Sequence, residues 1–277
     1  MNYRVSIIIS VLDQLAYTMR CLECIQETLK GKIDYEVLIV DDGSRDETIK
    51  FLRSLESPHE VFFNATKKGF AKNNNYAASK SKGKFLCLLN NDVFVKGDWL
   101  NQMLDVFEQE ENVGVVGNVQ LLAGRNKFDH MGVVFGPQAK PIHYGQWFKK
   151  NAFSGKVKKW SAVTAACCLV KRTDFLELGG FDEIYINGCE DVDLCLRYNR
   201  NGFKNFVVHD SVVEHVKGAS HGRKIYNDRN SEILLKRWGT EIRKIESVND
   251  QVLHAQNYIY RGLARPFSTN LCKLFEA

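Results

Sequence analysis

The chain has 277 residues and a formal net charge of +5, with 44% hydrophobic and 26% charged residues. These values are ordinary for a soluble globular domain, and the length allows one substantial core with at most a small appendage. A membrane-spanning protein is not expected, because no apolar run approaches the ~20 residues of a spanning helix. A secreted protein is not expected either, because the N-terminus lacks a signal-peptide pattern. We therefore expect a cytoplasmic protein.

Strand and helix patterns alternate through the first half of the chain. Predicted strands at Val5–Ser10, Glu36–Val40, Val61–Phe63 and Phe85–Leu89 are followed by predicted helices at Ala16–Leu29, Glu47–Leu55, Phe70–Ser81 and Trp99–Gln109. This alternation predicts βαβ units and a mainly parallel sheet. The second half is less regular. It has predicted strands at Val113–Val119 and Trp160–Val170, and the long stretch Leu121–Lys159 between them predicts a functional or mobile loop.

Polar segments follow two of the predicted strands directly. Asp41-Asp42-Gly43-Ser44 ends the second strand, and Asn90-Asn91-Asp92 ends the fourth. Ligands of open α/β sheets bind at the carboxyl edge of the strands. The two segments therefore predict a binding site at that edge.

The segment Gly179–Arg197 carries five acids in a chain of positive net charge. Glu190 and Asp191 stand at the predicted start of a helix, where free backbone N–H groups stabilise any carboxylate. Two adjacent acids after a Gly-Gly-Phe-Asp turn also match a positioned general base, which we favour. Asp193 is predicted to cap this helix or to pair with Arg197 four residues later.

In these motifs the chain resembles the family-2 glycosyltransferases of the GT-A fold, of the inverting, bacterial polysaccharide and rhamnosyltransferase-like kind. The resemblance covers residues 3–240 and rests on the opening strand, the two polar strand ends, Gly179–Glu183 and Glu190–Arg197. It implies an α/β GT-A fold with a mainly parallel central sheet flanked by helices. Residues 1–119 would form a Rossmann-like nucleotide-binding half and 120–240 an acceptor-binding and catalytic half, followed by a C-terminal helical tail at 241–277.

The resemblance also implies a reaction. A sugar would move from a UDP- or dTDP-sugar to a hydroxyl of a glycan or lipid-linked acceptor, with Asp191 as general base. Glu190 would position the acceptor or Asp191 itself. Direct attack assisted by one base inverts the anomeric configuration, and no motif offers the second, nucleophilic carboxylate that a covalent intermediate needs.

Breaking the donor bond leaves negative charge on a diphosphate, which a divalent metal stabilises. Mn²⁺ or Mg²⁺ is the expected cofactor, and Asp92 is the main ligand candidate because carboxylate oxygen suits these ions. Many relatives carry two aspartates here, whereas this chain has Asn91, which is left to bind the ribose or a metal-bound water. Relatives often complete the metal shell with a histidine after the acidic helix. His215 matches best, with His209 and His221 as competitors.

The resemblance places the nucleotide base at the end of the first strand, near Ser10, Leu12 and Asp13. Asp42 would accept a hydrogen bond from the pyrimidine N3–H, which uracil and thymine both present. Lys72 lies in the Lys67–Asn73 segment, which approaches the donor in related enzymes or is an ordinary solvated turn. The chain has neither a P-loop nor a G-x-G-x-x-G motif, so ATP- and NAD-type sites lack support.

The acceptor and other partners are less determined. The basic, aromatic segment between Lys149 and Lys159 suits an anionic membrane surface or a lipid diphosphate, or is a solvated loop; nucleic acid is a weaker option. Oligomeric state is left open. Two other functions remain: a non-catalytic nucleotide-sugar-binding relative, and a sugar nucleotidyltransferase, which would need a glycine-rich basic loop where Ser10–Gln14 stands. Cys21 and Cys24 form a C-x-x-C inside a helical pattern, without a partner pair for zinc.

Overall fold

The computed structural model describes residues 3–146, 148, 157–216, 223–245 and 248–264. Its strands are β1 Val5–Val11, β2 Tyr35–Asp41, β3 His59–Phe63, β4 Phe85–Leu89, β5 Val93–Phe94, β6 Val113–Leu122, β7 Phe128–His130, β8 Val133–Phe135, β9 Pro141–His143, β10 Val157–Trp160, β11 Cys167–Lys171 and β12 Lys204–His215. Its helices are α1 Leu15–Leu29, α2 Thr48–Arg53, α3 Phe70–Lys80, α4 Trp99–Gln109, α5 Arg172–Glu177, α6 Glu190–Arg200, α7 Asn227–Ile245 and α8 Val248–Ala264, with a 3-10 turn at Arg223–Tyr226.

One large mixed sheet organises the molecule. Its strand order is β10-β12-β6-β11-β4-β1-β2-β3, with β5 paired to β12 and β7 paired to β6. Strands β1 to β4 pair in parallel, as do β6 and β12, whereas β11 runs antiparallel to both β4 and β6. Within the described part of the chain, six of the eight strands in this order therefore point the same way. The predicted, mainly parallel sheet is confirmed, and the carboxyl ends of these six strands share one edge.

Helices cover both faces of the sheet because its central strands are apolar on both sides. Alternate residues of β1 enter different cores: Ile8 joins the cluster that includes α3, α5, α6 and α7, whereas Ile7 and Ile9 join the cluster under α1 and α4. The near-continuous apolar runs in β1, β2 and β4 are the sequence sign of this double burial. The two cores hold the central strands rigidly, and with them the edge where the polar segments lie.

Two predictions for the second half of the chain are wrong in detail. The predicted strand Trp160–Val170 is two strands, since β10 lies at the edge of the sheet beyond β12 while β11 lies between β6 and β4. The chain has to cross the sheet between them, and residues 161–166 make that crossing. The predicted loop Leu121–Lys159 instead begins inside β6 and contains the short strands β7, β8 and β9; residues 147 and 149–156 lie outside the described residues.

The helices after β12 pack on the rest of the molecule. Helix α7 runs across residue 240, and α8 is tied to the chain by Ser161, whose hydroxyl donates to Asp250 at 2.6 Å. The division into a domain at 1–240 and a tail at 241–277 stays a prediction. Among the residues that the structure describes, no helix is long and apolar enough to cross a membrane.

The cysteines in the described part of the chain are free thiols, and most are buried. Cys21 and Cys24 lie in α1, as the helical pattern predicts. Burial raises the pKa of the Cys21 and Cys168 thiols, so both stay protonated at neutral pH. These thiols contribute apolar packing to the cores rather than chemistry.

Asp193 joins helix α6 to helix α7. Its side chain is fully buried, and its Oδ1 accepts hydrogen bonds from Trp238 Nε1 at 2.7 Å, Arg237 Nη1 at 3.0 Å and Tyr185 Oη at 3.2 Å. Its Oδ2 accepts from Arg197 Nε at 2.8 Å, which confirms the predicted pairing four residues along the helix. The buried charge is thus neutralised by two arginines and fixes the orientation of α6.

We expect Asp193→Ala to lower the free energy of unfolding by about 3 kcal/mol, because it leaves buried donors and two arginines without their acceptor. Urea unfolding followed by circular dichroism measures this loss. The matched control is Asp210→Ala, which removes an exposed aspartate from β12 and should change stability by less than about 0.5 kcal/mol. Equal stability of the two variants would contradict this role for Asp193.

Candidate active site

The shared edge of the sheet gathers the polar strand ends. Asp42 follows β2, Asp92 follows β4, and His215 ends β12. The reversed strand β11 begins at the same edge, where Asn90 N–H donates to the carbonyl of Ala166 at 2.9 Å. Just before it, Ala165 N–H donates to Asp191 Oδ2 at 3.1 Å, which brings the start of helix α6 to this edge.

Asp42 holds the loop that precedes helix α3. Its buried carboxylate accepts hydrogen bonds from Lys68 N–H at 2.6 Å (Oδ1), Gly69 N–H at 3.0 Å (Oδ2) and Asn64 Nδ2 at 3.3 Å (Oδ1). Gly69 has φ of +93°, a conformation that favours glycine and lets two successive amides point at one carboxylate. Each carboxylate oxygen accepts about two hydrogen bonds, so Oδ2 keeps capacity for a ligand donor.

Ser10 is tied to helix α3 through amides. Asn73 Nδ2 donates to Ser10 Oγ at 2.9 Å, and Asn64 Nδ2 donates to Asn73 Oδ1 at 2.8 Å. The ends of β1, β2 and β3 and the first turn of α3 are thereby joined by side-chain hydrogen bonds. Lys72 extends from that first turn as an exposed cation.

Asp13 joins the loops after β1 and β2 reciprocally. Its backbone N–H donates to Ser44 Oγ at 2.7 Å, and its Oδ1 accepts from Arg45 N–H at 2.6 Å. Asp13 and Gln14 both have positive φ, at 55° and 66°, so this turn is held in a conformation that non-glycine residues rarely adopt. Leu12 is half-buried beside it. The two loops therefore form one wall at the carboxyl edge.

Asn91 contacts helix α1. Its Nδ2 donates to Thr18 Oγ1 at 3.0 Å, which ties the segment after β4 to helix α1. Its expected contact with a ribose or a metal-bound water stays a prediction. Its neighbour Asp92, the acid of this segment, lies against His215 at the end of β12.

Asp92 and His215 form a buried pair. His215 Nε2 lies 3.5 Å from Asp92 Oδ1, and the imidazole is about as buried as the carboxylate, each residue 6% exposed. The backbone enforces the pair, because Val216 N–H donates to the carbonyl of Asp92 at 2.9 Å and His215 pairs with Val93 of β5. The other ring nitrogen, Nδ1, lies 3.2 Å from Oδ2 of Asp129 on β7.

Sequence reasoning missed Asp129. It lies in a three-residue strand inside the stretch predicted to be a loop, and so short a strand has no hydrophobic period to reveal it. Its approach to His215 is also a contact between residues 86 positions apart. Only the pairing of β7 with β6 brings the two side chains together.

The donor set fits a divalent metal with few protein ligands. In the described part of the chain, no cluster of three His, Cys, Asp or Glu side chains suits a metal. Asp92 Oδ1 and His215 Nε2 are two converging ligands, whereas Asp129 lies at the opposite ring nitrogen. Two ligands suffice for an ion that takes its other ligands from phosphate and water, as Mg²⁺ commonly does.

The competing histidines differ in placement. His209 lies on the same strand, but its ring is beside Trp160, with ring centroids 6.5 Å apart. Burial, together with the charge of Lys158, lowers the pKa of His209. His221 lies outside the described residues.

The two catalytic candidates point in different directions, as helix geometry predicts. Asp191 is half-buried and its Oδ2 accepts the Ala165 N–H, whereas Glu190 is buried and its Oε2 accepts the Gly188 N–H at 2.6 Å within its own loop. The loop before them is strained, since Cys189 has φ of +72°. Asp191 is therefore the more accessible acid.

His215 is a protonated base in the metal-free site. Burial alone would lower its pKa, but the hydrogen bonds to Asp129 and Asp92 and the charges of these acids outweigh burial and raise the pKa to about 9. The pKa in the folded protein lies above the ordinary value of 6.5, so the stabilisation is complete below pH 6.5 and is lost as the pH rises through 9.

We expect the metal-free protein to lose about 3 kcal/mol of unfolding free energy across this pH window because of His215. Urea unfolding in EDTA at several pH values measures the slope. His215→Gln provides the comparison, since it lacks the titrating ring and should lack this part of the slope. Parallel curves for the two proteins would contradict the assignment.

Solved structures confirm the fold. The structure of GalNAc-T7 with UDP, GalNAc and Mn²⁺ superposes with a TM-score of 0.70 at 16% identity, over 96% of this chain and 52% of that one. The mannosyltransferase PcManGT from Pyrobaculum calidifontis, in complex with GDP-Man and Mn²⁺, superposes with a TM-score of 0.62 at 18% identity, over 96% and 73%. The predicted α/β GT-A architecture is therefore correct.

Sequence relatives agree. The O-antigen biosynthesis protein RfbC of Myxococcus xanthus is 30% identical over 67% of this chain, and the uncharacterized protein y4gI of Sinorhizobium fredii is 29% identical over 85%. The matches span 15% and 28% of those two proteins, so both are much longer than this chain. A family model described as "Glycosyl transferase family 2" matches residues 6–179, well over half of the sequence. The chain belongs to glycosyl transferase family 2.

Proposed function

We propose that this chain is an inverting, metal-dependent transferase that moves a hexosyl or deoxyhexosyl group from a nucleoside diphosphate to a hydroxyl. The observation that carries the proposal is the convergence of Asp191 with the Asp92–His215 pair at one sheet edge, beside the loop held by Asp42. A general base and a diphosphate site must be neighbours for this reaction, since the attacked carbon lies between the acceptor hydroxyl and the leaving phosphate.

Asp191 acts as the general base. Its carboxylate is half-buried, accepts backbone hydrogen bonds from Ala165 N–H through Oδ2 and from Val192 N–H through Oδ1, and keeps acceptor capacity for a hydroxyl proton. Glu190 is held within its own loop by Gly188, which suits it to position Asp191 at the start of the helix. A single base and direct attack lead to inversion.

Asp92 and His215 would hold the cation, since Asp92 Oδ1 and His215 Nε2 lie 3.5 Å apart. Bound Mn²⁺ or Mg²⁺ would neutralise the charge that develops on the leaving diphosphate. Both solved neighbours named above contain Mn²⁺ with a nucleotide, which supports this assignment. Since these two side chains are few ligands, the donor diphosphate would supply others.

The nucleoside lies against the wall built from Ser10, Leu12, Asp13 and Asp42. Asp42 Oδ2 keeps the acceptor capacity that a pyrimidine N3–H requires, which suits UDP and dTDP equally. Lys72 is an exposed cation on the first turn of α3, next to the loop held by Asp42, and it attracts the diphosphate.

The acceptor is a glycan or a lipid-linked sugar in polysaccharide or cell-wall synthesis. The name of the Myxococcus relative, an O-antigen biosynthesis protein, supports this class. A cytoplasmic location, with peripheral contact at the inner face of the plasma membrane, fits a lipid-linked acceptor.

Asp191→Asn keeps the shape of the side chain but removes the proton acceptor. We expect transfer to fall by at least about 10²-fold while donor binding is nearly unchanged. The matched control is Asp228→Asn, an exposed acid in the first turn of α7, which should keep full activity. Turnover is measured by released nucleoside diphosphate and donor affinity by calorimetry. Wild-type turnover in Asp191→Asn would remove Asp191 from the mechanism.

The metal assignment makes a second prediction. EDTA should abolish activity and Mn²⁺ or Mg²⁺ should restore it; Asp92→Ala should weaken metal-dependent donor binding.

His215→Ala should raise the Mn²⁺ concentration needed for half-maximal activity, because it removes a ligand. His209→Ala and His221→Ala should leave that concentration nearly unchanged. Full activity in metal-free buffer would exclude the metal, and a shift in His221→Ala alone would move the ligand from His215 to His221.

A further inference from the structure

A chain of side-chain hydrogen bonds connects His215 to the C-terminal helix α8. Asp129 Oδ2 lies 3.2 Å from His215 Nδ1, and its Oδ1 accepts from Gln146 Nε2 at 3.2 Å. Gln146 Oε1 in turn accepts from Arg261 Nη2 of α8 at 2.8 Å. We call this chain, His215–Asp129–Gln146–Arg261, the relay.

The chemistry of the relay fixes its direction. Arg261 can only donate, so Gln146 must present its carbonyl oxygen to Arg261 and its amide nitrogen to Asp129. An ionised carboxylate can only accept, so Asp129 requires a proton on His215 Nδ1. A neutral His215 then carries its lone pair on Nε2, the nitrogen that faces Asp92. Arg261 thus orients the Gln146 amide that binds Asp129, and Asp129 sets the tautomer of the His215 ring, three side chains away from Arg261.

Helix α8 also fixes where Gln146 stands. Asn257 of α8 is fully buried; it accepts the N–H of Gly145 at 3.2 Å and donates to the carbonyl of His143 at 3.4 Å. Helix α8 therefore holds the turn that carries Gln146 at two positions before it, His143 and Gly145. The rings of Phe148 and Tyr260 pack with centroids 4.3 Å apart on the other side of Gln146 in the chain.

Because Asp129 is buried, its charge and orientation depend on the hydrogen bonds of the relay. Asp129 is 3% exposed, and a carboxylate with so little solvent depends on protein hydrogen bonds to keep its charge and orientation. A carboxylate behind a metal-bound imidazole fixes the tautomer and ring orientation and raises the basicity of the ligand. Loss of such a partner typically costs 10–100-fold in metal affinity, about 1.4–2.7 kcal/mol.

We infer that Asp129, Gln146 and Arg261 are positioning residues that present His215 Nε2 to the metal, so that α8 is part of the support of the active site. This inference rests on the proposed metal-binding role of Asp92 and His215. It gives a function to a helix outside residues 6–179, the part that matches the family model.

The test measures Mn²⁺ affinity of the full chain with saturating UDP, from the free-Mn²⁺ signal in electron paramagnetic resonance. Asp129→Ala should weaken binding by about 10–100-fold. Asp129→Asn retains an acceptor oxygen and should recover part of that loss. Arg261→Met should weaken binding several-fold, whereas the control Arg243→Met, at an exposed arginine near the end of α7, should bind as the wild type does.

A spectroscopic measurement separates positioning from general stability. In the metal-free protein, at a pH high enough for the His215 ring to be neutral, ¹⁵N resonances of that ring should report one Nδ1–H form in the wild type. Arg261→Met should show a mixture of tautomers, although its urea unfolding matches that of Arg243→Met. A single Nδ1–H form in Arg261→Met, with wild-type Mn²⁺ affinity, would overturn the part assigned to α8.

Asp92→Asn distinguishes failure of the relay from failure of the proposed function. If Asp92→Asn weakens Mn²⁺ binding while Asp129→Ala binds as the wild type does, the metal pair stands and the relay is overturned. If Asp92→Asn leaves Mn²⁺ binding unchanged, the metal pair itself fails and the relay loses its purpose.

Discussion

Strand β11 runs against its neighbours β4 and β6, and this reversal places the beginning of one strand beside the ends of the others. The residues that lead into β11 therefore reach the carboxyl edge of the sheet, where Ala166 binds the end of β4 and Ala165 binds Asp191. If β11 were parallel to its neighbours, its first residues would lie at the opposite edge. The proximity of the candidate base to the strand ends follows from this one feature of the topology.

Two acids on helix α6 have different surroundings and therefore suit different roles. Asp193 is fully buried and accepts hydrogen bonds from Arg197, Arg237 and Trp238, so all of its acceptor capacity serves to fix the helix. Asp191, two residues earlier, takes backbone hydrogen bonds and stays half-buried. The helix fixed by Asp193 and the backbone N–H groups of Ala165 and Val192 together hold the Asp191 carboxylate in one position, as its proposed role of general base requires.

The loop before α6 links the two sides of the site. Asn187 Oδ1 accepts the N–H of Phe70 at 3.4 Å, and Phe70 directly follows the loop whose amides bind Asp42. Asn187 itself has φ of +51°, so a strained residue makes this bridge. Asn187 therefore connects the loop before α6 to the start of helix α3, beside the loop held by Asp42.

The sequence by itself determined the elements and the motifs. Apolar runs such as Phe85–Leu89 identify double-covered strands, and the Asp193–Arg197 pair follows from helical spacing alone, because both signals are local. The sequence also marks Asp42, Asp92, Asp191 and His215 as candidates, because the resemblance to family-2 glycosyltransferases gives each of these positions a role. Local signals do not reveal the order of strands in the sheet. For this reason the sequence predicts one strand at Trp160–Val170, where the structure has β10, a crossing segment and β11.

Only the tertiary structure decided what these residues contact. It turned Asn91 toward Thr18, committed most of the Asp42 carboxylate to a backbone loop, and placed Asp129 behind His215. The last contact joins residues 86 positions apart through a three-residue strand. Hydrophobic periodicity and residue spacing do not predict a contact between residues so far apart in the sequence. Strand pairing and the packing of a distant helix determine that contact.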